Sequence, residues 1–245
     1  MSAVWATFSR ELRAYFFSPL AYVILFFFLL VNGAVFAVII SYLSDPQLGG
    51  GRPFDVMFNS FPFWLLLLFW VPVVTMRLLA EERNSGSIEV LMTAPVTEGQ
   101  VVAGKYLAAL VFYAFLWAPT LVYAVLVDRW SELDWGTLAA AYLGVLLIGG
   151  LFLAIGVFAS ALARHQVVAA VIAVALELAV FFTGLVSALV QRPAAREVLD
   201  HLSVIDHMNE FSRGVVDTRR LVFYVTATLL LLFAASRALE DRKWR

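Results

Sequence analysis

Long apolar segments with few charged residues restrict what this chain can fold into. A membrane core of about 30 Å is crossed by about 20 mostly apolar helical residues, and six segments of the sequence meet that requirement. They are Leu20–Leu43, Phe61–Ala80, Val101–Val127, Thr137–Ala163, Val167–Val190 and Leu221–Leu239. Because a backbone in lipid must satisfy its hydrogen bonds internally, the sequence predicts an all-α integral membrane bundle of six transmembrane helices. We treat residues 1–245 as one membrane domain.

The composition supports a membrane protein and excludes several functional classes. Hydrophobic residues make up 62% of the chain and charged residues 14%, whereas soluble domains have roughly 45–50% and 25%. A net charge of −1 removes the basic field that nucleic-acid binders use, so no nucleic-acid partner is expected. The chain has no cysteine, which excludes disulfides, thiolate metal sites and thiol nucleophiles.

Residues 1–19 precede the first span and combine charged with aromatic side chains. Arg10, Glu11 and Arg13 alternate with Trp5, Phe8 and Phe16, a pattern typical of an amphipathic helix at the membrane interface. With six spans, both termini lie on one side. Ten basic residues then fall on the side of the termini and seven on the other, so the positive-inside rule predicts that both termini are cytoplasmic.

The segment 81–100, between the second and third spans, is the densest polar stretch on the predicted inner side. Gly86 and Pro95 bound a short helix in which Ile88, Leu91 and Met92 share one face. Thr97 and Gln100 have the spacing of a capping box that opens the third span. Two interpretations stay open from the residues alone: a solvated loop with a helical turn, or an amphipathic helix that inserts its apolar face into a partner.

The run from Ala80 to Leu110 resembles the first inner loop of type 2 ABC transporter permeases. The resemblance is carried by Glu-Glu-Arg at 81–83, Gly-Ser-Ile-Glu-Val-Leu at 86–91, Ala-Pro-Val at 94–96 and Gly-Lys-Tyr-Leu-Ala at 104–108. The segments 11–19, 211–217 and 242–244 resemble a branch linked to gliding motility. Together these segments imply the type 2 ABC exporter permease fold, in the inner membrane of a bacterium.

In that family the 81–100 loop forms a coupling helix that contacts a separate ATP-binding subunit. The resemblance implies that ATP and magnesium bind that subunit, that this chain holds no cofactor, and that a second permease completes the complex. A periplasmic or envelope auxiliary protein is a further partner that the motility branch suggests. The residues expected to dock the ATP-binding subunit are Glu81, Glu82, Ser87, Ile88, Glu89, Leu91, Met92, Pro95 and, in the second inner turn, His165.

A glycine and lysine pattern at 99–105 has the spacing of a phosphate-binding loop, but the context argues against one. Tyr106 replaces the hydroxyl residue that holds magnesium, and the segment leads into a membrane helix instead of a βαβ unit. We therefore expect a non-catalytic transmembrane subunit, with no catalytic residues and no nucleotide site in this chain.

Glu177 is the one acidic residue predicted near mid-membrane. An ionised carboxylate there is costly, so the side chain is expected to be paired, neutral or facing water, and it is a candidate for a substrate path or a proton relay. A protonated carboxyl that bonds a neighbouring helix is an alternative. No basic residue in another predicted span has a comparable depth, which disfavours an ion pair.

The outer segment 191–220 is predicted to lie on or dip into the outer interface. Leu199, Leu202, Ile205, Met208 and Phe211 recur every three residues among polar neighbours. His207, Glu210 and His201 could be metal ligands, but such clusters are commonly incidental, and no metal site is predicted. In the fourth span the pairs Ala140/Gly144, Gly150/Ala154 and Gly156/Ser160 permit close helix contacts, while Pro72 and Pro119 predict kinks in the second and third spans.

The sequence thus favours the permease of an ATP-driven exporter that works with a separate ATPase. Two alternatives stay open. One is an ATP-driven complex that transmits force to a cell-envelope partner without moving a substrate. The other is an ATP-independent secondary transporter that uses Glu177.

Overall fold

The computed structural model describes residues 3–45, 51–81, 97–187, 189–190 and 192–240. Within these ranges all regular secondary structure is helical, which confirms the predicted fold class. The α-helices are α1 (Ala3–Phe16), α2 (Pro19–Leu43), α3 (Pro53–Asn59), α4 (Phe61–Thr75), α5 (Glu98–Trp117), α6 (Leu121–Asp128), α7 (Trp135–Leu162), α8 (Gln166–Ser187), α9 (Pro193–Leu202), α10 (Val204–Ser212) and α11 (Thr218–Glu240).

Five spans of the described chain are long and apolar enough to cross a membrane as single elements. Four of them are single helices, namely α2, α7, α8 and α11. The fifth is the segment Glu98–Asp128, which comprises α5 and α6. A sixth span results when α3 and α4 are counted together, although the two helices meet at an angle of 52°. The described helices thus give five to six spans, in agreement with the predicted multi-span bundle, and the sixth is the bent pair of α3 and α4.

The second span differs from its prediction at both ends. It was expected as one helix over Phe61–Ala80, but α4 ends at Thr75 and a turn follows it. Pro72 lacks the amide hydrogen that would continue the hydrogen-bond ladder, and the Thr75 hydroxyl donates to the Val71 carbonyl. A change of direction of 52° lies at Ser60, between α3 and α4, where the sequence analysis did not predict one.

The third span has the predicted irregularity at Pro119. A 3₁₀ turn, Ala118–Thr120, joins α5 to α6, because proline cannot donate to the α-helical ladder. The Thr120 hydroxyl donates to the Trp117 carbonyl and shares a second hydrogen bond with the Tyr142 hydroxyl at 2.7 Å. The break in the third span is thereby held against α7.

Helix α7 is the axis of the bundle, and α4, α5, α8, α10 and α11 pack around it. In its most apolar window 78% of the residues are buried, against 11% in α11. Its small residues admit neighbours at very close range. A Cβ atom added at Gly149 would lie 2.2 Å from the Tyr113 ring, and one added at Gly156 would lie 2.1 Å from Thr75 Oγ1. The small residues of this span therefore serve packing within the bundle.

Helix α1 corresponds to the predicted interfacial helix, and it packs along the first turns of α5. Gly104 permits this approach, since an added Cβ would lie 2.8 Å from Thr7 Cβ and 3.0 Å from the Val4 carbonyl oxygen. The Tyr15 ring stacks on Phe112 with their centroids 4.8 Å apart. The helix is thus fixed to the bundle by one face.

The outer segment forms two helices, α9 and α10, which meet at Ser203. The Ser203 hydroxyl caps α10 by accepting a hydrogen bond from the Asp206 amide. Phe211 of α10 packs against Gly144 of α7. Ser212 and Asn59 bond each other and both donate to Asp55 Oδ1, which ties α10 to α3. Helix α10 is therefore packed into the bundle on one face, whereas the prediction for this segment concerned the membrane interface.

Candidate functional site

The predicted docking segment begins where α4 ends, and only its two flanks are described. Glu81 is exposed at one flank. At the other, the Gln100 amide donates to Thr97 Oγ1 and the Thr97 amide donates to Gln100 Oε1, so the predicted capping box is confirmed. Glu82, Ser87, Ile88, Glu89, Leu91, Met92 and Pro95 lie outside the described residues.

A serine of α7 holds the turn that leads into this segment. Ser160 Oγ accepts hydrogen bonds from the amides of Leu79 and Ala80, each at 3.0 Å, and donates to the Met76 carbonyl. Ser160 is fully buried, so these bonds are shielded from water. The end of the second span therefore has a defined position relative to the central helix. Sequence reasoning identified Ser160 only as a small packing residue.

Residues that flank the two connections predicted on the inner side meet at this end of the bundle. Ala80, which leads into the 81–97 connection, packs in one buried cluster with Ala163 and Ala169. These two alanines flank the turn between α7 and α8 that carries His165. The His165 side chain is exposed. The structure thus places Glu81 and His165, predicted from different parts of the sequence, at the same end of the molecule.

Helix α1 joins the same end through a buried ion pair. Lys105 Nζ lies 3.0 Å from Glu11 Oε1, and the lysine side chain is only 1% exposed. The Tyr15 hydroxyl donates to the Val74 carbonyl at 2.9 Å, and burial, followed by the nearby Glu11 charge, raises the pKa of this phenol. Removing one partner of a buried pair costs roughly 3–5 kcal/mol, so α1 and α5 are expected to move together.

The glycine and lysine pattern at 99–105 does not form a phosphate-binding loop. Residues 99–105 all lie within α5. Beyond the first turn, the backbone amides of this helix donate to helical carbonyls and are not available to a phosphate. The Lys105 ammonium, which would face the phosphates, lies against Glu11 instead. This geometry agrees with the expectation drawn from the sequence.

Glu177 lies in the middle of α8, on the face that also carries Ala169 and Ala173. Its side chain is fully buried, and neither carboxylate oxygen has a hydrogen-bond partner among the described residues. Glu177 does not line any of four cavities formed by described residues of the bundle. Of the three expected environments, a neutral carboxyl fits these observations, because an ionised group without a partner would be the costliest.

The outer polar residues are used within the fold. His207 was expected on the polar face, but it is fully buried, with its Nδ1 atom 2.8 Å from the Tyr224 hydroxyl. Burial, then the Arg220 charge, lowers the pKa of His207 to about 4. Both carboxylate oxygens of Glu210 accept bonds from Arg220, each at 3.0 Å. No group of three metal-ligating side chains occurs in the described parts of the chain.

Asp134 caps the outer end of α7. Its carboxylate accepts hydrogen bonds from the Thr137 hydroxyl and from the amides of Thr137 and Gly136. These bonds, the one from the Thr137 hydroxyl first, lower the pKa of Asp134. A charged carboxylate at a helix N-terminus is also favoured by the helix dipole. The residue is structural and lies at the end of the bundle opposite the inner connections.

These features define a multi-span helical membrane protein without a nucleotide-binding loop at residues 99–105. A family model described as ABC-2 family transporter protein matches residues 5–239, and the chain belongs to this family. A comparison with curated proteins returned no match. Family membership makes the chain a membrane permease of an ABC transporter, and it implies a membrane and an ATP-binding partner subunit.

Proposed function

We propose that this chain is the permease of an ATP-driven exporter in which a separate subunit binds ATP and magnesium and docks on the 81–100 loop. The observation that supports docking at this end is the meeting of the two inner connections at the Ala80, Ala163 and Ala169 cluster. A partner seated on the loop would also be within reach of His165. Glu81 and Glu89 would supply contacts around the apolar face of Ile88, Leu91 and Met92.

The contacts around the loop suggest how motion is transmitted. Closure of the ATP-binding subunits would push the loop, whose flanks continue into α4 and α5. Ser160 connects the α4 flank to α7, and the Lys105–Glu11 pair connects α5 to α1. Packed elements respond to such a push as rigid bodies. We infer a tilt of α4 and α5 that opens the translocation path to alternate sides of the membrane.

The complete transporter would contain two permeases, as a homodimer or a heterodimer, with both chain termini in the cytoplasm of a bacterial inner membrane. Single-chain packing leaves α2, α8 and α11 mostly unburied, with 22%, 17% and 11% of their most apolar windows covered. These faces are available to the second permease and to lipid. The chain itself performs no covalent chemistry in this scheme.

A substitution in the docking face tests the proposal. Leu91→Asp places a charge on the surface that would enter the ATPase groove, so we expect normal insertion and expression but ATP hydrolysis that no longer drives transport. The measurement is transport per ATP hydrolysed by the complex in liposomes. Leu189→Asp is the matched control, because Leu189 is a leucine 82% exposed at the opposite end. Unchanged coupling in Leu91→Asp would refute docking at this face.

A force-transmitting complex of the gliding-motility branch is a second candidate, and the outer surface favours it. Charged residues of α9, α10 and α11 line an open groove of about 600 Å³, including Arg196, Asp206, Arg213 and Arg220. A groove of mixed charge is suited to the polar contacts of a periplasmic protein. A whole complex that hydrolyses ATP and binds such a protein, yet moves no substrate across a liposome membrane, would establish this candidate over export.

A further inference from the structure

A cavity of about 320 Å³ lies at the inner end of the bundle, where α1, the start of α2, the end of α4 and α5 converge. One part of its wall is polar, formed by Glu11, Ser18, Arg77, Glu81 and Lys105. The opposite part is apolar and includes Ala21, Ile24 and Val73. The cavity therefore crosses from a charged to an apolar environment within a single site.

The charges on the wall are balanced, but only two of them are already paired with each other. Lys105 and Glu11 form the buried ion pair. Arg77 and Glu81 are both exposed, and neither forms an ion pair or a hydrogen bond with another residue in the described ranges. Arg77 offers a planar cation suited to a phosphate, and Glu81 offers acceptors suited to an ammonium group.

The apolar part of the cavity continues along the membrane-facing side of α2. Leu20 lines the cavity and is itself exposed, and Val23, Phe27 and Leu30 follow it at helical spacing as exposed apolar residues. This stripe runs from the interface into the membrane. A molecule with its polar part in the cavity would lay an apolar part along the stripe.

We propose that this cavity binds the head group of a zwitterionic aminophospholipid, with its phosphate at Arg77 and its ammonium at Glu81. The volume is at the small end of the 300–1,000 Å³ typical of ligand pockets, which suits a head group whose acyl chains remain outside. Choline lipids carry a cation that cannot donate hydrogen bonds to Glu81. Anionic glycerol lipids carry no cation, so they would leave that carboxylate unmatched.

The test measures which lipids stay bound to the purified full-length permease. Phosphatidylethanolamine, phosphatidylcholine and phosphatidylglycerol with identical acyl chains are added to the protein in detergent, and bound lipid is counted by native mass spectrometry. We expect preferential retention of phosphatidylethanolamine. Arg77→Gln should lower that retention about tenfold, the change expected for one lost charge-assisted hydrogen bond. Glu81→Gln should remove the preference over phosphatidylcholine.

Two controls separate this site from general lipid contact. Arg129→Gln and Glu132→Gln change exposed residues at the other end of the bundle and should leave lipid retention unchanged. Ala21→Phe fills the cavity without altering charge and should also reduce retention. Because Arg77 is exposed, Arg77→Gln should fold even if Ala21→Phe does not. Equal retention of the three lipids, or unchanged retention in Arg77→Gln, would overturn the proposal, and neither readout depends on an ATP-binding subunit.

Discussion

Among the buried polar side chains of the described chain, one is a lysine, one a histidine and one a glutamate, and their surroundings differ. Lys105 pairs with Glu11, His207 bonds Tyr224, and Glu177 has no partner among the described residues. Only Glu177 was expected to be buried, because it is the one acidic residue in the middle of a long apolar segment. The environments of Lys105 and His207 depend on partners in other helices, Glu11 of α1 and Tyr224 of α11, and periodicity cannot supply such partners.

The burial of His207 predicts acid sensitivity. Its folded pKa is about 4, against 6.5 for the free side chain, so between these values the unfolded chain binds a proton that the folded chain does not. The stabilisation is complete above pH 6.5 and is lost as the pH falls toward 4. Thermal unfolding of the detergent-purified protein from pH 7 to pH 4.5 should show a falling midpoint.

His207→Gln should flatten that pH dependence, because an amide can bond Tyr224 but does not titrate in this range. His165→Gln is the matched control, since His165 is an exposed histidine in the turn between α7 and α8, at the other end of the bundle. That control should keep the wild-type slope. An unchanged slope in His207→Gln would assign the acid sensitivity to other groups.

Gly149 tests the close packing of α7. Gly149→Ala would place a methyl group inside the Tyr113 ring position, and overpacking of this kind typically costs about 1–3 kcal/mol. We expect a lower unfolding midpoint in detergent. Gly99→Ala is the control, because Gly99 is also helical but an added Cβ would meet nothing within 4 Å. Equal midpoints for the two variants would contradict the packing described for α7.

At the scale of elements, the sequence predicted the membrane-spanning segments, but it predicted only some of the breaks and bends within them. Apolar length predicted every crossing element, and Pro119 and the Thr97–Gln100 cap were located correctly. The bend at Ser60 and the end of α4 at Thr75 were missed. Asn59 of α3 contacts Ser212, the last residue of α10, and Ser160 contacts the 76–80 turn; neither long-range contact is visible in a local sequence pattern.

The end of the bundle at which we propose docking was also predicted only in part from the sequence. The resemblance assigned docking to the 81–100 loop and to His165, and the structure has Glu81 and His165 at one end of the bundle. The contact that joins the two inner connections involves three alanines, Ala80, Ala163 and Ala169. Alanine is common throughout the spans, so nothing in the sequence distinguishes these three positions from lipid-facing ones.

Ser160→Ala tests whether the turn after α4 transmits motion. The change leaves the amides of Leu79 and Ala80 without an acceptor, at about 1–3 kcal/mol for each unsatisfied group. We expect the ATPase to bind normally but transport per ATP hydrolysed to fall. Ser236→Ala is the control, because that exposed hydroxyl bonds only within α11. Full coupling in Ser160→Ala would remove the turn from the mechanism.

At the scale of the whole molecule, the predicted orientation can be tested directly because the chain has no cysteine. Helix α7 spans 28 residues, about 42 Å at 1.5 Å per residue, so Trp130 before it and His165 after it lie at opposite ends. In intact cells a membrane-impermeant maleimide should label Trp130→Cys. It should label His165→Cys only after permeabilisation.

The unsubstituted chain supplies the background for that labelling. Labelling of His165→Cys in intact cells would show that the orientation is opposite to the predicted one. The connections that we assign to the inner side would then lie away from cytosolic ATP. The docking proposal would then fail together with the orientation, whereas lipid retention at the Arg77 cavity would be unaffected.

The burial of α7 determines how the bilayer acts on this protein. In the single chain, most residues in the most apolar windows of α2, α8 and α11 are unburied, whereas most of those of the axis α7 are buried. We therefore expect changes in lateral pressure or bilayer thickness to act on the peripheral helices α2, α8 and α11, while the packing around α7 stays the same. We likewise expect the surrounding lipid composition to displace these peripheral helices more readily than it alters the packing of the central one.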